Sequence, residues 1–172
     1  PGNVSQASAG HGMDSALFLA SAQAAAGPLF EPGRPVGERV EAAMQATWAV
    51  AHCNTNLGIL LLCAPLAAAS ERWPADQGVA GLRAVLESTL HRLDIGDARS
   101  TYRAIALARP GGLGSSAQQD VANEPTVSLR DAMAIAAGRD RIAWQYVHAH
   151  ADLFEIGLPA FMQTFENACQ RG

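Results

Sequence analysis

The sequence predicts an all-α fold: one domain spanning residues 1–172, a bundle of about eight helices around a buried central helix. Three observations carry this. Apolar residues recur at three- and four-residue spacing through most of the chain, which is the period of an amphipathic helix. No stretch alternates with period two, and no Asn-Gly hairpin signal occurs, so no strand is predicted. One segment, residues 53–69 (CNTNLGILLLCAPLAAA), is apolar almost throughout and rich in Leu and Ala rather than Val and Ile. That composition suits a helix buried on most of its circumference. It falls short of the roughly 20 apolar residues that a bilayer span requires.

The elements follow in order. Residues 13–26 form the first helix, with Asp14 or Ser15 as its cap and Ala16, Leu17, Ala20 and Ala24 at helical spacing. Residues 27–37 (GPLFEPGRPVG) are expected to break it through their prolines and glycines. A second helix, 38–52, carries the stripe Val40, Ala43, Met44, Thr47, Trp48 and Ala51. The central helix follows after a short link, so the two should be packed neighbours. RWPADQG at 72–78 is a turn. A fourth helix, 79–92, turns Leu82, Val85, Leu86 and Leu90 inward. Asp94 caps a fifth, 95–108, with Ala98, Tyr102, Ile105 and Ala106 inward. The longest unpatterned segment is 109–128, and loops of that length in a compact domain are commonly functional or disordered. Ser128 and Asp131 form a capping-box variant for a short sixth helix to 137. Asp140 caps a seventh, to 154, and Pro159 suits the first residue of a last helix, to 169.

Hydrophobic residues make up 49% and charged residues 16%, against a usual charged share of about 25%. The apolar excess has to be hidden in the helical core, in a homo-oligomer, or against a part of the protein absent from this chain. The net charge is −4, every basic residue is Arg, and no basic run occurs, which argues against nucleic acid as a partner. Arg can grip phosphate bidentately, so a small anionic ligand fits this composition. Cys53, Cys63 and Cys169 match no zinc spacing. With no signal peptide and no membrane span, they predict a reducing, cytoplasmic compartment.

Polar residues gather in three stretches, GHGMD at 10–14, CNTNLG at 53–58 and GGLGSSAQQDV at 111–121, with a milder fourth, GRDR, at 138–141. Each lies at or before a predicted helix start, where unpaired N–H groups and the helix dipole favour anions. If they converge, they line one pocket with amides, hydroxyls, glycine backbone and carboxylates, suited to a nucleotide triphosphate with Mg²⁺. Each also has a structural reading. His11 is a lone histidine before a helix, Asp14 is a cap, and Asn54–Asn56 are helix-start residues. GGLGSS lacks the Gly-Lys-Ser/Thr ending of a Walker loop. Asp120 stands clear of any cap and is the stronger carboxylate candidate.

PGNV at 1–4, HGMDSALFLAS at 11–21 and NTNLGILLLCAPLA at 54–67 resemble the triphosphoribosyl-dephospho-CoA synthase family. NTNLG and the glycine segment 111–121 are closer to a divergent branch found in methanogens and methylotrophs. The resemblance implies an ATP-dependent transferase: a hydroxyl of dephospho-CoA attacks C1 of the ATP ribose and adenine leaves. It implies that His11, Asn54, Thr55, Asn56, Gly111, Gly112 and Gly114 bind the nucleotide. Asp14 and Asp120 would hold Mg²⁺ or orient the nucleophile. The His-Lys that follows Asn-Thr in the family is Asn56–Leu57 here, and family members are longer, so N- and C-terminal parts of the family domain are expected to be missing. Two alternatives stand beside this reading: an enzyme acting on another phosphorylated intermediate of one-carbon coenzyme (pterin or furan) biosynthesis, and a non-catalytic helical subunit.

Overall fold

The computed structural model describes residues 13–109 and 123–169. They form eight α-helices: α1 (Ser15–Leu29), α2 (Val36–Ala51), α3 (Leu57–Ser70), α4 (Gly78–His91), α5 (Ile95–Ala108), α6 (Leu129–Ala136), α7 (Arg141–Val147) and α8 (Leu158–Cys169). A short 3-10 turn, Ala75–Gln77, leads into α4, and a π-helical stretch, Leu153–Gly157, leads into α8. No strand occurs among the described residues.

The caps read from the sequence are made. Asp14 Oδ1 accepts from the Leu17 N–H at 2.8 Å, Asp140 Oδ1 from the Ala143 N–H at 2.8 Å, and Ser128 Oγ from the Asp131 N–H at 3.1 Å. Asp94 and Asp97 exchange side-chain and backbone bonds in a full capping box. Three boundaries differ from expectation. The first helix runs on through Gly27 and Pro28 to Leu29. A proline in the last turn forfeits a single N–H bond, and Ala25 and Leu29 are buried, so packing outweighs that loss. The central helix starts at Leu57, because Asn54 Oδ1 takes the Leu57 N–H at 3.1 Å and turns the chain first. The seventh helix stops at Val147, where Ala149 (φ 48°) and His150 (φ 52°) enter the left-handed region.

Of the α3 residues, only Ile59 and Ser70 are exposed, and α3 touches α1, α2, α4, α5 and α7, so it is the buried centre that its composition requires. Pro65 sits inside it and has no N–H to give the Leu61 carbonyl. The Tyr146 hydroxyl donates to that carbonyl instead, at 2.7 Å, which ties α7 to α3. Val40, Met44, Leu60, Ala64, Leu86, Leu90, Leu129 and Tyr146 belong to a single core. The apolar excess is not all absorbed: among the described residues, α8 packs against the π-helical stretch and leaves Phe161, Met162 and Phe165 exposed.

Polar contacts fix the helix directions. Glu71, just past α3, accepts from the Gly33 N–H at 3.0 Å and pairs with Arg39, so α3 runs back along α2. The Gly37 N–H donates to Asp97 at 2.8 Å and Arg103 grips Glu41 at 2.6 and 2.7 Å, so α2 and α5 are parallel. The short link 30–35 returns α1 antiparallel to α2. A Cβ at Gly58 would lie 3.0 Å from Ile142 Cδ1, and with the Tyr146–Leu61 bond this sets α7 parallel to α3. The N-termini of α1, α3 and α7 therefore open at one end of the bundle, beside the C-terminal ends of α2 and α5.

Candidate functional site

The site is built from the start of α3. Thr47, wholly buried on α2, meets the Asn56 side-chain amide at 3.0 and 3.1 Å, which locks the α2–α3 link. The backbone carbonyl of Asn56 accepts from the Leu60 N–H at 3.0 Å and opens the helix. Asn54 spends its Oδ1 on the Leu57 N–H, and its Nδ2 has no partner among the described residues. The Thr55 hydroxyl is shut off from water and has no partner among the described residues. A buried polar group left unpaired costs roughly 1–3 kcal/mol, which a ligand acceptor or donor would recover.

Around this start the fold collects several other polar groups. Asp14, exposed at the head of α1, uses Oδ1 as a cap, and its second oxygen has no partner among the described residues. Arg139 sits just before α7 and has no ion-pair partner among the described residues. Arg141 is committed: it grips Asp152 at 2.5 and 2.7 Å and lies over the Trp144 ring at 3.9 Å. Asp140 is a cap. Arg109, in the left-handed conformation at the end of α5, is the last described residue before 110–122. The structure thus brings Asp14, Asn54, Thr55, Asn56 and Arg139 to one end of the bundle. His11, Gly111, Gly112, Gly114 and Asp120 lie outside the described residues.

Mg²⁺ takes one or two carboxylates and keeps most of its shell as water and substrate oxygen. The open Asp14 oxygen fits that demand. Among the described residues, no group of three or more His, Cys, Asp and Glu could hold a metal on its own. Thr47 was legible as a core-stripe residue and not as the partner of Asn56, since the signal, a hydroxyl in an apolar stripe, reads equally as packing.

The fold and this end define a class: a small all-helical protein with helix N-termini and compact amides gathered at one end, and no described helix long and apolar enough to cross a membrane. The chain belongs to the ATP:dephospho-CoA triphosphoribosyl transferase (CitG) family, whose family model matches residues 1–171. Family members are transferases that act on ATP and dephospho-CoA. No curated protein and no solved structure matches the chain.

Proposed function

We propose that the end of the bundle carrying the starts of α1 and α3 binds the triphosphate and ribose of ATP, in a cytoplasmic enzyme of coenzyme biosynthesis. A hydroxyl of a dephospho-CoA-like acceptor attacks C1 of the ribose, the bond from C1 to adenine breaks, and the hydroxyl proton is passed on. Positive charge develops at C1 on the way, so the site needs electron-rich groups near the ribose and a group to take the proton. Asp14 and Asp120 are assigned to those tasks and to Mg²⁺. Asn54, Thr55 and Asn56, with His11 and the glycines Gly111, Gly112 and Gly114, are assigned to the nucleotide.

The observation that supports this reading most directly is the parallel setting of α1 and α3, with the unpaired Thr55 hydroxyl at their shared end. Two aligned helix N-termini favour negative charge, each by about 0.3–1 kcal/mol. Adenine release from ATP in the presence of dephospho-CoA tests it. Thr55→Val keeps the shape and removes the unpaired hydroxyl, so kcat/KM for ATP should fall about tenfold or more while the urea midpoint rises. Wild-type kinetics in both Thr55→Val and Asp14→Asn would remove this end from the reaction.

A further inference from the structure

A second feature lies at the opposite end of α3. That helix has 14 residues and so spans about 21 Å, which separates this end from Asn54–Asn56. Here a cavity of about 240 Å³ opens between the start of α2, the end of α3, the end of α4 and the start of α5. Arg34, Arg39, Arg72 and Arg92 line it, with Glu71 and Asp97. The chain is acidic and has 12 basic residues, all Arg, so a third of its positive charge faces one small hollow.

The ion pairs do not account for that concentration. Arg39, 1% exposed, is spent: it donates to the Arg34 carbonyl at 2.7 Å, to the Leu29 carbonyl at 3.0 Å, and to Glu71. Asp97 is spent on the Gly37 and Asp94 N–H groups, at 2.8 and 3.1 Å. Arg34 pairs with Glu31 at 2.9 Å. Among the described residues the Arg92 side chain holds only the neutral Ser88 hydroxyl, at 2.5 Å, and the Arg72 side chain makes no hydrogen bond or ion pair. Two guanidinium groups in no ion pair among the described residues therefore flank a cavity whose third wall is Arg34, and the four arginines outnumber the two carboxylates, Glu71 and Asp97, that line it. Guanidinium matches the oxygens of a phosphate bidentately and binds them through charge-assisted bonds. The volume lies below the roughly 300–1,000 Å³ of pockets that enclose drug-sized ligands, so it suits one anionic group and not a whole nucleotide.

We infer that this cavity is a second anion site, which takes a phosphate or diphosphate group through Arg34, Arg72 and Arg92. The group comes either as free phosphate or as the diphosphate of a coenzyme bound apart from the reacting end. The site is independent of the nucleotide reading, because none of its residues belongs to the Asn54–Asn56 end.

The test is an amide NMR titration of the full chain at constant ionic strength, with inorganic phosphate, dephospho-CoA and ATP in separate arms. Phosphate should give saturable shifts at Gly33, Arg34, Val36 and Arg72. The double variant Arg72→Gln/Arg92→Gln should bind about tenfold more weakly or worse, and Arg83→Gln, elsewhere on α4, should bind as wild type. Both altered arginines are exposed, so the fold does not depend on them. If dephospho-CoA saturates the same amides at a lower concentration than phosphate does, the coenzyme is the source; the reverse order assigns free phosphate. Far-end saturation by ATP with silence at Asn54–Asn56 would retain the cavity and overturn the nucleotide reading. Shifts that rise linearly, that chloride reproduces, or that the double variant leaves unchanged would overturn the anion site.

Discussion

His150 makes the stability of the protein depend on pH in a calculable way. It is 1% exposed, its Nε2 has no partner among the described residues, and its ring meets Tyr146 edge-on at 6.1 Å. Burial pushes its imidazole from the ordinary 6.5 down to about 4. In the unfolded chain the ring takes a proton below about 6.5, whereas in the folded chain it stays neutral until about 4. Between those values the unfolded state binds the extra proton. Stability is therefore full above the window, falls as pH drops through it, and levels off below. At about 1.4 kcal/mol per pKa unit, the loss is roughly 3 kcal/mol. Asn at this position tolerates the left-handed backbone and cannot charge. Urea unfolding followed by circular dichroism between about pH 7 and about pH 4 should therefore show wild type losing roughly 3 kcal/mol more than His150→Asn. Glu41, Glu71 and Asp152, whose carboxyls are held low by hydrogen bonds to Arg103, to the Gly33 N–H and to Arg141, also weaken the fold in acid. They do so equally in both proteins and cancel in the difference. Parallel pH curves for the two proteins, or an imidazole that titrates near its ordinary value by NMR, would refute the reasoning.

Two further substitutions probe the contacts that set the helix directions. Glu71→Ala leaves the buried Arg39 guanidinium and the Gly33 N–H without their carboxylate. It should cost about 3 kcal/mol in urea unfolding, the lower part of the range for breaking a buried pair, because Glu71 is partly wetted; Glu71→Gln, which keeps an acceptor, should cost less. Tyr146→Phe strands the Leu61 carbonyl that Pro65 cannot serve and should cost roughly 1–3 kcal/mol. In a Pro65→Ala background, where the helix supplies its own N–H, the same change should cost measurably less, and equal costs in the two backgrounds would show that the hydroxyl is not filling that gap.

Most helices were legible from a three-four stripe, α3 from an almost unbroken apolar run, and four of the eight begin at an Asp or Ser whose side chain takes the N–H three residues on. Asp94, Ser128 and Asp140 needed nothing from tertiary structure to be read as caps. The misread boundaries are those where packing outweighs a local signal: burial of Ala25 and Leu29 carries α1 through Pro28, and the 149–150 corner ends α7 without a glycine to announce it. The short links 30–35 and 52–56 imply antiparallel neighbours, which is enough to bring the starts of α1 and α3 together. The arginine cavity was not legible. Its cations come from separate stretches, at 34–39, 72 and 92, and no local period links them.

The two positions where NTNLG departs from the Asn-Thr-His-Lys-Gly pattern of the family it resembles have both been turned to structure. Asn56 is tied to Thr47 through both ends of its amide, and Leu57, 6% exposed, is part of the core. A lysine at position 57 would bury its charge or push the start of α3 outward. This chain therefore does not move the missing charge to a neighbouring residue; it fills the space with packing. The recognition chemistry left at this end is the Asn54 Nδ2, the Thr55 hydroxyl, the aligned N-termini and Arg139. Such a set supplies hydrogen bonds and a diffuse positive field in place of one ammonium group. A field of that kind suits a phosphate chain spread over several oxygens, and it confers little preference on the acceptor. Preference for the second substrate therefore has to come from residues other than Asn54–Asn56.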